Sequence, residues 1–351
     1  MADGATGKAK SSGAKPRRQP PYGLIEGNYF QCWYPMALLR DLVPGKIIGR
    51  DFCGSRVVIY RAKSGKPMVQ SAWCPHFGAD LSLGEIHEGE IRCPYHHWKF
   101  DANGQCSHIP TGDKIPKDCA IANYPVAEAW GLLWAFNGKE PLYDVPGVPG
   151  LTEGEAIFIA SERGERNVDH VFSISNSLDF QHLVTLHGFP EGAVPEEIKV
   201  GPYTMDYDRK GPSGLNRSRV TGDNTFSTFG GSALGVNNGL DQFLLVTSAS
   251  MGPHKCYSFY VLGACKPKPE EDTPAKRQEI ERILHQGIEQ AKKLYREDEP
   301  ILETMRFRGI GKARLVAADK HMGTYFRYVA KFPPGSAARC LTAFHLRNTS
   351  R

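Results

Sequence analysis

No apolar run in this chain approaches the roughly 18 residues needed to cross a bilayer. The first residues, rich in Gly, Ala, Lys and Ser, lack the apolar core of a secretory signal. A cytoplasmic protein with no membrane partner is the expectation. Cysteines are sparse, nine in 351 residues, and most stand singly among mixed or apolar neighbours, so no disulfide framework is expected. Gly-x-Gly-x-x-Gly is absent, which excludes a dinucleotide site of that kind. No internal repeat is apparent. Excess charge is nearly confined to one end: residues 1–18 hold five basic side chains against Asp3, a net +4 of the chain's +5. Residues 1–21 therefore read as a solvated, disordered tail rather than a nucleic-acid arm, and the body is close to neutral.

What remains is an ordinary globular composition, 40% hydrophobic and 23% charged, in a chain long enough for two domains with their own cores. Lys46 to Arg50, Arg56 to Arg61 and Pro67 to Trp73 read as short strands punctuated by Gly45, Gly54 and Gly65. Tyr124 to Glu128 and Leu132 to Phe136 continue the pattern, so residues 22–145 are expected to form a small antiparallel sandwich. Proline and glycine concentrate between 141 and 150, which places the domain boundary there. Residues 146–351 form the second domain, in which 203–262 alternate strand-like runs with Gly or Asn turns, at Phe226 to Phe229, Gln242 to Ser248 and Tyr257 to Leu262, and read as a second antiparallel sheet. Asp272-Thr273-Pro274 starts a long helix with a capping side chain and proline at the first position, expected to run to about Glu297. Asp319 caps a last helix. The class is α+β.

Two short loops carry the first chemical signal. Cys74-Pro75-His76 and Cys93-Pro94-Tyr95-His96, 16 residues apart, present two thiols and two imidazoles. Zinc could take such a set, although zinc sites usually bring each ligand pair as two of a kind. One Cys and one His from each loop suits a two-iron cluster, with both thiolates on one iron and both imidazoles on the other. The spacing and the prolines closely resemble the Rieske [2Fe-2S] family. Respiratory Rieske proteins carry an extra cysteine in each loop and a serine near the second histidine; Ala79, Tyr95 and Trp98 stand there instead, which resembles the oxygenase branch.

The second signal is Asn176-Ser177-Leu178-Asp179-Phe180-Gln181-His182, continuing to His187. On a regular helix His182 and His187 would point about 140° apart, so sharing one metal requires a helix break. Asp179, His182 and His187 match the Asp-x-x-His-x-x-x-x-His pattern of the Rieske non-haem iron oxygenases, and Asn176 matches the extension in monooxygenase and demethylase members. That resemblance implies a helix-grip catalytic domain with mononuclear Fe(II) on His182, His187 and a distant carboxylate. Asp298, in Glu297-Asp298-Glu299-Pro300-Ile301-Leu302-Glu303, resembles the family's ligand; Glu303 is the alternative, and solvated helix-end charges are the expectation for Glu297 and Glu299. It further implies that Asp179 serves catalysis by bridging His182 to His96 of a neighbouring subunit in a head-to-tail homotrimer.

The implied activity is that of a terminal oxygenase component. Electrons from NAD(P)H would reach the cluster through a separate flavin reductase or ferredoxin, and O2 would be used to hydroxylate or demethylate a small apolar molecule of aromatic, terpenoid or steroid-like character. Cis-dihydroxylation on the same sites is the alternative. A bare Rieske electron carrier would not need the residues after Gly150, and a zinc-stabilised binding module would be colourless. Asn176, Phe226, Phe229, Leu234, Val236 and Phe243, with Leu245 and Val246, are candidates for the substrate wall.

Overall fold

The computed structural model describes residues 29–189, 194–195, 197–211, 214–230, 240–305 and 313–335; the expected tail and the pocket candidates Leu234 and Val236 lie outside the described residues. In chain order the first half contains β1 (Trp33–Leu38), β2 (Ile48–Phe52), β3 (Ser55–Arg61), β4 (Pro67–Ser71), β5 (Glu85–His87), β6 (Glu90–Arg92), β7 (Lys99–Phe100), β8 (Cys106–His108), β9 (Val126–Ala129) and β10 (Leu132–Phe136). They form three antiparallel sheets, ordered β1-β10-β9, β2-β3-β4 and β5-β6-β7-β8. The second half contains β11 (Ala156–Arg166), α1 (His170–Ser175), α2 (Phe180–Thr185), β12 (Lys199–Val200), β13 (Thr204–Gly211), β14 (Gly214–Thr221), β15 (Thr225–Phe229), β16 (Gln242–Gly252), β17 (Lys255–Cys265), α3 (Pro274–Thr304) and α4 (Lys320–Val329). Its strands make one antiparallel sheet, ordered β11-β17-β16-β15-β14-β13-β12. No described helix is long and apolar enough to cross a membrane.

The central strands of this sheet are covered on both faces. Alternate side chains point to opposite sides, so Leu244 and Val246 of β16 join the core under α1, α3 and α4, while Phe243 and Leu245 join Trp130, Trp134 and Phe136 on the other side. That second layer belongs to β10 and its neighbours. The larger core also crosses the boundary read from the sequence, since Tyr34, Phe52, Val57 and Ile59 pack in one cluster with Val171, Ile174 and Phe326.

A buried polar network fastens the two halves. Asp223, in the turn between β14 and β15, accepts from Tyr34 of β1 at 3.1 Å and meets His170 Nε2 at 2.9 Å, while its carbonyl accepts from Tyr325 of α4 at 2.6 Å. Burial alone would lower the His170 pKa, but the Asp223 carboxylate outweighs it and the net shift is upward. The pair's contribution is therefore complete below about pH 6.5 and is lost as pH rises through the raised folded value. We expect Asp223→Ala to cost about 3 kcal/mol, since it strands buried partners, measured as a lower urea midpoint.

α3 begins as its sequence indicates, with Thr273 Oγ1 accepting from the Lys276 N–H at 3.2 Å. It runs past Glu297 to Thr304 despite Pro300. The turn beyond Pro300 is held by Leu302, which packs on Val168 and Cys256 and offsets the missing N–H. This extension keeps Asp298 inside a helix.

Candidate metal centres

The upstream ligand loops are one turn used twice. Cys74 N–H donates to the Ala79 carbonyl and Gly78 N–H to the Cys74 carbonyl; Cys93 N–H donates to the Trp98 carbonyl and His97 N–H to the Cys93 carbonyl. The fourth residue after each cysteine takes the left-handed conformation, Gly78 at φ +75° and His97 at φ +58°. His97 is thus a turn residue, as expected, in a conformation that glycine adopts more cheaply.

These turns bury Cys74 and Cys93 and bring His76 and His96 to a ring separation of 4.6 Å. His76 stacks on Trp98 at 4.2 Å and 9°. Its Nδ1 is buried without a hydrogen-bond partner, a nitrogen left free for a ligand. Burial pushes the Cys74 thiol up to about 12, and the adjacent Cys93 sulfur adds to the rise. A bound cation reverses that cost, because it takes thiolates rather than thiols. The donor set fits a [2Fe-2S] cluster of mixed ligation. Around it Trp73, Phe77, Leu83 and Tyr95 are exposed, and so is His96.

The downstream site depends on two helix ends. Asp179 breaks the chain between α1 and α2 and caps α2, its carboxylate accepting from the His182 N–H at 3.2 Å. Its backbone carbonyl meets His182 Nδ1, which leaves Nε2 facing inward. α2 stops at Thr185, so His187 lies in the following turn and escapes the 140° offset of a continuous helix. Gly188 at φ +69° and the bonds from Gly188 N–H to Val184 and Phe189 N–H to Leu183 shape that turn.

Asp298 approaches from α3. Its Oδ1 lies 3.1 Å from His187 Nε2 and 3.8 Å from His182 Nε2, and ligand atoms of all three residues lie within 4.8 Å of one another. Two imidazoles and one carboxylate fit a mononuclear iron with open coordination positions. Glu297, expected to be a solvated charge, instead meets His187 Nδ1 at 2.8 Å. It fixes the tautomer that leaves Nε2 for the centre. Glu299 is likewise engaged, accepting from Arg163 at 3.2 Å. Glu303, at 3.4 Å from the Asn167 N–H, is not among the converging residues.

A cavity of about 130 Å³ opens onto these three side chains. Of the substrate-wall candidates, Asn176, Phe226 and Val246 line it. Phe229, Phe243 and Leu245 do not: they belong to the opposite face of the sheet, packed with the Trp130 and Trp134 layer. The sequence shows an apolar run but not which parity faces the helices. The walls are also less apolar than expected, for Arg163 and Arg209 line the same cavity. Arg163 is held by Glu299 and stacks on Tyr295 at 3.9 Å. Arg209 makes no ion pair among the described residues, and its Nε is buried without a partner.

Residues 32–125 match the family model described as Rieske [2Fe-2S] domain. Cholesterol 7-desaturase nvd of Bombyx mori is 34% identical over 165 residues, 45% of this chain and 36% of its own length. Chlorophyllide a oxygenase, chloroplastic, of Arabidopsis thaliana is 31% identical over 208 residues, 55% of this chain and 38% of its own. The chain thus carries a Rieske [2Fe-2S] domain and is similar, over about half of its length, to these two enzymes. It spans little more than a third of the length of those two curated relatives. Among solved structures, NdmB of Pseudomonas putida CBB5 shares the fold at a TM-score of 0.73 and 18% identity, covering 89% of this chain and 93% of that one. The α+β architecture of this chain, a Rieske domain followed by a seven-stranded sheet with helices, is thus shared over most of its length.

Proposed function

We propose that this chain is the terminal oxygenase component of a multicomponent system, using electrons from NAD(P)H to oxidise a small organic substrate with O2. The convergence of His182, His187 and Asp298 on a cavity, in a chain that also carries a Rieske domain, supports this reading most strongly. When bound, the cluster supplies single electrons and the mononuclear iron supplies oxygen activation. Cys74, His76, Cys93 and His96 would hold the first, and His182, His187 and Asp298 the second. A separate flavin reductase or ferredoxin would deliver the electrons. Asn176 favours hydroxylation or demethylation over cis-dihydroxylation, on its match to the monooxygenase pattern.

The protein's own groups then bind and orient. Glu297 and the Asp179 carbonyl hold the two imidazoles in register, while Phe226, Leu244 and Val246 give an apolar bed for the substrate body. Arg209 offers a positive end, so the best fit is an apolar molecule bearing one polar or anionic group. Arg209→Met should keep both metals and raise KM for a carboxylate substrate about 10-fold or more relative to its uncharged amide, the loss of one charged hydrogen bond.

A head-to-tail homotrimer belongs to the same proposal. The exposed His96 with its apolar rim, and the Asp179 carboxylate at 27% exposure, are surfaces that could meet between subunits. So does a cytoplasmic location, although the relative from Arabidopsis is chloroplastic. The direct test is turnover with a surrogate reductase, NADH and O2 against a panel of aromatic and terpenoid acids and their neutral analogues, read by mass shift of the product. A colourless purified protein without iron would defeat the proposal.

A further inference from the structure

Seven cysteines are not needed for the cluster, and two of them face each other. Gln105 and Ala120 form an antiparallel bridge, which places Cys106 directly opposite Cys119, and the Cys106 N–H donates to the Cys119 carbonyl at 3.0 Å. Residues opposed in that way lie about 5.5 Å apart at Cα, with side chains on the same face. That separation falls within the range a disulfide spans. The Cys106 thiol meets the His108 carbonyl at 3.8 Å. Both cysteines are buried, in the same apolar cluster that contains Cys74 and Cys93.

We propose that Cys106 and Cys119 are a redox-active pair that closes to an intramolecular disulfide by exchange with a small-molecule disulfide. One cysteine thiolate displaces the first thiolate of the small disulfide and forms a mixed disulfide; the second cysteine attacks that sulfur and releases the other. The two protein protons leave with the two thiols formed, so the pair is oxidised by two electrons and the small disulfide is reduced. Closure would tie both ends of the 107–118 loop to the core beneath the cluster ligands. Most of that loop is exposed, while Ile109 anchors it in the core. Burial raises both thiols, Cys119 to about 12, so exchange in the closed fold is slow and follows loop opening.

The inference is independent of the oxygenase reading. The holoprotein is incubated with glutathione disulfide, free thiols are alkylated, and the tryptic digest is read by mass spectrometry. Cleavage after Lys99, Lys114, Lys117 and Lys139 puts the two cysteines on separate peptides, 100–114 and 118–139. The expected result is a linked pair of these peptides that dithiothreitol separates, with the visible cluster absorption unchanged and the link abolished by Cys106→Ser or by Cys119→Ser. Alkylated Cys106 and Cys119, glutathione adducts on each without a link, or links to Cys74 or Cys93 with bleaching would each overturn it.

Discussion

Asp298→Ala protein will purify with its cluster absorption intact and without mononuclear iron, and its turnover will fall by more than about 100-fold. The reasoning begins with the donor set. Removing a group that only supports a metal ligand already costs about 10–100-fold, and Asp298 is placed as a ligand itself, 3.1 Å from His187 Nε2 and 3.8 Å from His182 Nε2. Folding should survive the change. Asp298 is buried in the interior of α3, where alanine is the better helix former, and the substitution removes a carboxylate that burial disfavours. The neighbouring acids make the experiment discriminating. Glu297→Gln keeps a hydrogen-bonding side chain on His187 Nδ1 and should cost about 10–100-fold in iron affinity, not its complete loss. Glu303→Ala should leave iron content unchanged, because Glu303 accepts from the Asn167 N–H outside the converging set. Iron lost from Glu303→Ala but retained by Asp298→Ala would reverse the assignment.

Those three acids also mark where sequence reading stops. The ligand loops were legible because their spacing is local: a Cys and a His two or three residues apart must come from one turn. The separation of His182 and His187 likewise announced a break in the helix, and the structure supplies it at Thr185. Which face of α3 each acid presents depends on where that long helix packs, and four acids within seven residues look alike until it does. Strand parity fails for the same reason. Phe226 and Phe229 stand three apart in one strand, so they must face opposite ways, yet only the position of the helices says which one meets the cavity. β11 was missed altogether, because its later half, Ser161 to Arg166, reads as a charged loop. Arg166 is in fact buried and Arg163 partly so, with Glu299 as the shared acid at 3.2 Å from Arg163 and 3.8 Å from Arg166. Charge neutralised by a residue more than a hundred positions away leaves no local signature.

Asp179→Asn should leave the fold and both metals in place and still cut product formation by about 10-fold or more. Asparagine caps a helix as well as aspartate does, so the bond from His182 N–H to the side chain at this position, 3.2 Å in the native protein, can be kept. The Asp179 carbonyl that meets His182 Nδ1 is backbone and is unaffected. What the substitution removes is the negative charge, at a carboxylate still 27% exposed within one chain and so free to meet a second partner. Asp179→Ala is the less informative change, because it also loses the cap, at about 1 kcal/mol. If the charge serves His96 of the partner subunit, the defect will appear after the cluster has been reduced: reduction by the reductase stays fast while oxidation on adding substrate and O2 becomes slow. A complementation experiment separates transfer between subunits from transfer within one. Cys93→Ser chains lack the cluster and Asp298→Ala chains lack the iron, so each alone is inactive; mixed oligomers regain activity if an intact cluster feeds the intact iron next to it. Inactive mixed oligomers, with near-normal turnover by Asp179→Asn, would place the electron path inside a single chain.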